Sequence, residues 1–221
     1  WWKLSGDFAK QYQVILINNR GVGRSDKPDV PVTITMMAED VCSVLNALSI
    51  KKAHVFGISM GGMIAQEFAL IHGDRLLNLV LGCTSPSGAH HVKADAEALK
   101  ILFDLEYMKS LTPEERSKVG FRFWCTQEFI NSNTEAFEYF HKVTMDYITP
   151  GYVFKNQAEA MMKYDSWDRL PNIKAPTCII TGTADRVMPY ANSRLLAERI
   201  PGSELVLLQD KGHGFFIEAR G

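Results

Sequence analysis

The pentapeptide Gly57-Ile58-Ser59-Met60-Gly61 separates a short apolar run containing Ala53, Val55 and Phe56 from a longer one, Met63 to Ile71. The first has the length of a buried strand and the second that of a helix apolar nearly all round, so the five residues between them must turn the chain sharply. Small residues two before and two after Ser59 let the backbone bend without a Cβ clash. Such a turn lifts the Ser59 hydroxyl to the tip of a sheet. It also aims the first N–H groups of the next helix at the same point, with the Met60 N–H as candidate donor to a developing oxyanion. A Gly-x-Ser-x-Gly string arises by chance in roughly one chain in fifteen of this length. The weight therefore falls on its strand-before, helix-after setting and on its partners.

A serine hydroxyl needs a base within reach and a third group to hold that base. Of six histidines (His54, His72, His90, His91, His141 and His213), only His213 has glycine on both sides, just after the apolar run Leu205 to Leu208. It reads as a base on a flexible loop beyond a strand end. His54 falls inside the strand before Ser59, His72 ends the helix after it, and the other three lie in a helical middle section. For the acid, Asp185 follows the run Thr177 to Thr183 and emerges at the C-terminal end of a strand, where sites assemble in open α/β sheets. Asp210 competes, but it is only three residues from His213 and beside Lys211. The spacing thus selects Ser59, Asp185 and His213, in that chain order.

The order Ser-Asp-His, the turn Asn18-Asn19-Arg20-Gly21-Val22-Gly23-Arg24-Ser25 and the loops Thr181 to Asp185 and Gly212-His213 together resemble the α/β-hydrolase fold superfamily over nearly the whole chain. The run Gly57 to Ala65, with Arg20 to Ser25, is most similar to its 3-oxoadipate enol-lactonase-like and carboxylesterase branch. The resemblance implies a mostly parallel sheet flanked by helices, with a helical lid insertion. It also implies a strand and a His-Gly loop ahead of the arginine-glycine turn, giving a second oxyanion donor. The chain begins at Trp1 without room for that strand, and ends at Gly221 inside an expected closing helix, Phe215 to Arg220. It reads as an internal portion of a longer protein, lacking N-terminal strands and C-terminal helix. Without the second donor, a loss of about 10²- to 10³-fold in rate is expected.

Strands are expected at Val14 to Asn18, Ala53 to Ile58, Leu77 to Gly82, Thr177 to Gly182 and Glu204 to Leu208, alternating with helices. Met37, Val41, Leu45 and Leu48 recur at helical spacing, with Thr35 as N-cap, and Pro189 to Ile200 is amphipathic with Leu195 and Leu196 inward. Segments Asp95 to Lys109, Pro113 to Trp124 and Ala158 to Tyr164 read as helices. The domain reading is a hydrolase core of residues 1–84 and 168–221 and a helical cap of residues 85–167. The cap carries many large apolar residues, mostly helix-packing core, with some facing an apolar cleft. Arg20 and Arg24, in a glycine-rich turn, are read as structural.

A net charge of −1 leaves no basic field for nucleic acid, and no apolar run reaches the length of a membrane span. Cys42, Cys83, Cys125 and Cys178 are scattered without paired metal spacing, so they read as buried free thiols, with a reducing cytoplasm following from them. A signal peptide is not testable without the true N-terminus. No metal and no cofactor is implied, since Gly21-Val22-Gly23 lacks the third glycine and helix start of a dinucleotide loop. The expected activity is acyl transfer from a small-molecule ester or lactone to water. Perhydrolase or haloperoxidase-like chemistry, carbon–carbon bond hydrolysis, acyl transfer to an alcohol, and a ligand-binding receptor are the alternatives. Oligomeric state is left open.

Overall fold

Four apolar runs form the sheet of the computed structural model, which describes residues 1–219 except the side chains of residues 2, 3, 101–103, 105, 108 and 109. Strands β1 (Ala53–Ile58), β2 (Leu76–Gly82), β3 (Thr177–Gly182) and β4 (Glu204–Leu208) pair in that order, all parallel. Parallel neighbours require crossovers, and helices supply them: α3 (Met60–Ile71) between β1 and β2; α4 (Ala96–Phe103), α5 (Leu105–Ser110), α6 (Pro113–Trp124), α7 (Gln127–Ser132), α8 (Thr134–Asp146) and α9 (Gly151–Lys163) between β2 and β3; and α10 (Ala191–Arg199) between β3 and β4, while α1 (Trp2–Phe8) and α2 (Ile34–Ala47) precede β1 and α11 (Phe215–Glu218) follows β4. Among the described residues, no helix is long and apolar enough to cross a membrane.

The period-two alternation of β1 sends its side chains to two different layers. Val55 joins the main core with Met37, Leu45, Phe68, Leu79, Leu81, Ile179 and Leu196, the layer built by α2, α3 and α10. Phe56 packs instead against Trp1 and Phe8 beside α1, with ring centroids at 5.1 and 6.4 Å. Residues 96–163, between β2 and β3, are helical and hold a small core of their own, Phe121, Cys125 and Ala136 with Phe137 and Phe140 around them. The chain leaves and re-enters the sheet layer at one place, where Ser87 and Asp165 form an antiparallel bridge. The buried Gln66 of α3 binds both arms: it donates to Ser85 O at 3.1 Å and accepts from Ser166 Oγ at 2.8 Å.

Several expectations from sequence are corrected. Val14 to Asn18 is not a strand; Ile15 packs on the core, but no described strand offers the segment a ladder, and burial alone does not make one. The N-cap of α2 is Thr33, whose Oγ1 accepts from Met36 N at 3.0 Å, while Thr35 Oγ1 donates to Glu67 Oε1 at 2.9 Å. The expected helix Asp95 to Lys109 breaks at Asp104, whose carboxylate caps α5 by accepting from Tyr107 N at 2.8 Å. The helix predicted from Ala158 starts earlier, at Gly151, and α7 and α8 lie in the section expected to be helical, where their bounds were not predicted. Leu195 is only half-buried. The last helix is described to Glu218, and Arg220 lies outside the described residues.

The glycine requirement around Ser59 is also not the symmetric one read from sequence. A Cβ on Gly57 would lie 2.1 Å from Gly61 O, and one on Gly62 would lie 2.5 Å from the Thr84 side chain, whereas one on Gly61 meets nothing within 4 Å. Gly57→Ala and Gly62→Ala are expected to destabilise the fold by about 1–3 kcal/mol each. Gly61→Ala is expected to be neutral or to stabilise by up to ~1 kcal/mol through helix propensity. Urea unfolding midpoints of the three variants check the ranking.

Candidate active site

Ser59 is the hinge between β1 and α3 and sits at φ 55, ψ −121, a conformation that non-glycine residues adopt only when their surroundings force it. Three bonds supply that force. Ser59 N donates to Gly82 O at 2.9 Å, and Ser59 O accepts from Gly62 N at 2.9 Å and from Thr84 Oγ1 at 2.8 Å. The backbone is thus stitched to the end of β2, leaving the Ser59 hydroxyl without a hydrogen bond among the described residues. As the first residue of α3, Met60 has an N–H with no intrahelical acceptor.

The loops carrying Asp185 and His213 are joined to each other before their side chains meet. Ala184 N donates to Lys211 O at 2.9 Å, Thr183 N to Leu208 O at 3.0 Å and Asp210 N to Thr183 Oγ1 at 2.9 Å. A Cβ on Gly182 would strike Lys211 O at 2.0 Å, so the close approach of β3 to this loop needs glycine there. Across the junction, His213 Nδ1 lies 2.8 Å from Asp185 Oδ2, with both side chains buried. Asp185 Oδ1 accepts from Val187 N and Met188 N, each at 2.8 Å, which fixes the carboxylate plane. The alternative acid, Asp210, is exposed and has its backbone in the left-handed region.

His213 is not on a swinging loop, and its flanking glycines serve another purpose. The residue is 2 % exposed, and the Trp124 ring stands edge-on to its imidazole at 5.8 Å. Gly214 N donates to Trp124 O, and a Cβ on Gly212 or Gly214 would meet that same carbonyl at 2.8 or 3.0 Å. Glu218 reinforces the junction by accepting from Thr126 N at 2.8 Å and from Thr126 Oγ1 at 3.1 Å. Glycine therefore permits contact with the end of α6 and does not confer mobility.

Nε2 of His213 faces Cys83 Sγ at 3.9 Å, and the Cys83 thiol also donates to His213 O at 3.4 Å. No hydrogen bond links Ser59 Oγ to the imidazole. The structure brings Asp185 and His213 together and leaves the serine contact unmade, with Cys83 at the imidazole edge where that contact would form. Cys83 is the site residue that sequence reasoning passed over. Its place directly after β2, at the same sheet edge as Ser59, was the available signal. Trp124 lies far off in the chain and gave none.

Burial of the His213 ring works against its protonation, while the Cys83 sulfur and the Asp185 carboxylate favour it, and the net effect holds its pKa well above 6.5. Burial also pushes the Cys83 thiol up. The sulfur is then uncharged near neutrality, so the upward shift rests on Asp185.

The other histidines have partners of their own. His54 meets Asn78, His72 meets Glu39, His91 meets Ser85, and His90 and His141 stack on Trp167 and Phe137. Arg20 is bound bidentately by Asp40 at 2.7 and 2.6 Å, and Arg24 Nε donates to Tyr147 OH at 3.3 Å. The Arg20 to Ser25 turn is the seat of α9: Gly21, at φ 89, lies where a Cβ would come 2.5 Å from Val153, and Gln157 Nε2 donates to Arg20 O at 3.3 Å. All four cysteines are free, with Cys178 half-buried and the rest buried.

A parallel sheet with a serine on a strained strand-to-helix turn at its C-terminal edge is the architecture of the α/β hydrolases. The chain belongs to that family, the alpha/beta hydrolase fold, whose model matches residues 1–220. It is 28% identical over 212 residues to the "Putative carbamate hydrolase RutD" of Caulobacter sp. (strain K31), covering 95% of this chain and 76% of that one. It is 28% identical to 3-oxoadipate enol-lactonase 2 of Acinetobacter baylyi, covering 95% and 75%. The crystal structure of the enol-lactonase from Burkholderia xenovorans LB400 superposes with a TM-score of 0.82 at 25% identity, covering 99% of this chain and 80% of that one. The relatives are hydrolases, which places this chain among hydrolytic enzymes of this fold.

The histidine assignment is open to direct measurement. In a proton NMR titration, His213 is expected to titrate above 6.5 in the parent protein, and Asp185→Asn is expected to lower that midpoint. Because the folded-state value lies above the unfolded one, the stabilisation from this pair is full below pH ~6.5 and is lost as pH rises through the folded-state pKa.

Proposed function

We propose that the chain is a serine hydrolase that cleaves a carboxylic ester or lactone by a two-step acyl-enzyme route. The observation that carries the reading is the buried 2.8 Å contact between His213 Nδ1 and Asp185 Oδ2, placed at the sheet edge that also bears the Ser59 turn. That contact keeps the proton on Nδ1 and leaves Nε2 as the basic nitrogen. The Ser59 hydroxyl turns toward Nε2 without breaking any hydrogen bond of its own, displacing the weak thiol contact from Cys83. His213 takes the serine proton, Ser59 Oγ attacks the acyl carbon, and the Met60 N–H receives the oxyanion. His213 then gives its proton to the leaving alkoxide, and a water activated by the same nitrogen releases the acid.

Residues 85–167 form the cap in this reading. Trp124 on the His213 ring, and Phe123 under the Arg186 guanidinium at 5.2 Å, favour a water-poor site above the imidazole. A carbamate is attacked by the same route, and the kinship with a protein named for that activity makes it the second substrate class to assay.

Ser59→Ala is expected to lower hydrolysis of an activated aryl ester by at least about 10⁴-fold and to abolish fluorophosphonate labelling. Asp185→Asn is expected to lower kcat by about 10⁴-fold. Full activity in either variant refutes the mechanism, and turnover without labelling in the parent protein refutes the acyl-enzyme. Since His213 must be neutral to act as base, kcat/KM is expected to rise with pH through a midpoint above 6.5. A flat profile from pH 5 to 8 refutes the histidine assignment.

A further inference from the structure

Far from Ser59, at the other end of α3, three side chains of metal-binding chemistry meet. Glu39 and Cys42 lie about one turn apart on α2, His72 follows the last residue of α3, and one donor atom from each lies within 4.8 Å of the other two. His72 Nε2 is 3.0 Å from Glu39 Oε2. Helix α3 has 12 residues, so its length holds this cluster about 18 Å from the serine turn.

The sulfur is the informative member. Cys42 Sγ accepts hydrogen bonds from Arg75 Nη1 at 3.5 Å and from Asn46 Nδ2 at 3.9 Å. These two N–H groups fix the sulfur where it lies within 4.8 Å of the donor atoms of Glu39 and His72. Arg75 is held there by Lys51 O at 2.7 Å, Ile50 O at 2.8 Å and Asn46 Oδ1 at 2.9 Å. The contact between Glu39 and His72 accounts for two of the three groups, and the sulfur lies within reach of both without a hydrogen bond to either.

We propose that Glu39, Cys42 and His72 bind a borderline-soft divalent cation, with zinc as the natural class. Thiolate, imidazole and carboxylate are a three-ligand set for such an ion, with water completing a tetrahedron. Cys42 is buried, His72 half-buried and Glu39 exposed, so the ion enters past Glu39. The Arg75 charge opposes the cation, and the two anionic ligands offset it. Any thiol proton is released on binding, and the imidazole keeps its proton on Nδ1. The bound ion joins α2 to the end of α3 and takes no part in attack on a substrate, so the inference stands or falls independently of the hydrolase reading.

Titration of the metal-free 221-residue chain with cadmium chloride, followed by the ultraviolet cadmium–thiolate band, tests it. The band is expected to saturate at one equivalent, to be competed away by zinc, and to vanish in Cys42→Ser while persisting in Cys83→Ser. Asn46→Ala, which removes one N–H from the sulfur, is expected to weaken binding by at least about tenfold. Glu39→Gln, at an exposed position with little risk to folding, is expected to weaken it as well. Ester turnover is expected to be unchanged in Cys42→Ser. Absence of the band in the parent chain overturns the inference, as does parental affinity in Glu39→Gln. A band that survives Cys42→Ser and is lost in Cys83→Ser also overturns it, placing the ion on Cys83, His213 and Asp185, the other buried group with donor atoms in reach.

Discussion

The left-handed backbone of Ser59 is the constraint from which the rest of the architecture follows. A non-glycine residue at φ 55 costs of order 1–3 kcal/mol, and its surroundings must impose that geometry. Gly57 lets the first turn of α3 come down onto β1, Gly62 lets the helix meet Thr84, and Thr84 in turn bonds the Ser59 carbonyl. Because Thr84 lies just past β2, the turn is tied to its neighbouring strand. The same strand end carries Cys83 to the imidazole. The strain is thus distributed over two strands and a helix.

The Asp185–His213 pair depends on a second set of close approaches. Gly182 brings the end of β3 against the Lys211 carbonyl, and Gly212 and Gly214 bring the histidine loop against that of Trp124. Each is a place where backbone meets backbone with no room for a side chain. The result is a buried imidazole whose protonation is governed by one carboxylate and whose position is governed from both the sheet and the helical segment. Cys83 is a weak partner for Nε2, its sulfur 3.9 Å away.

Much of this was legible in the amino-acid order because parallel strands declare themselves as short apolar runs. Ala53 to Ile58, Thr177 to Gly182 and Glu204 to Leu208 occur with the boundaries their composition suggests. Pro113 to Trp124 does too, its start marked by proline and by the Thr112 and Glu115 capping box. Asp185 and His213 were found because both emerge where such runs stop. Val14 to Asn18 misled for the complementary reason: it has a strand's composition, but a strand also needs a neighbour. The bounds of α7 and α8 escaped notice because their buried face is narrow, with Ala136 the buried residue of α8 and none in α7. Meaning was harder to read than place for the glycines beside His213, since packing against a carbonyl 88 residues away, from Trp124 to Gly212, leaves no local trace.

The bond from Gly214 N to Trp124 O joins the loop that carries the imidazole to the helical segment between β2 and β3. Sequence change along α7 and α8 leaves the main core untouched, since neither helix contributes a residue to it. Change at Trp124, Cys125 or Thr126 is different, because those residues hold the His213 loop in place. At that one seam the helical segment and the imidazole move together, so a change that reshapes the one also displaces the other.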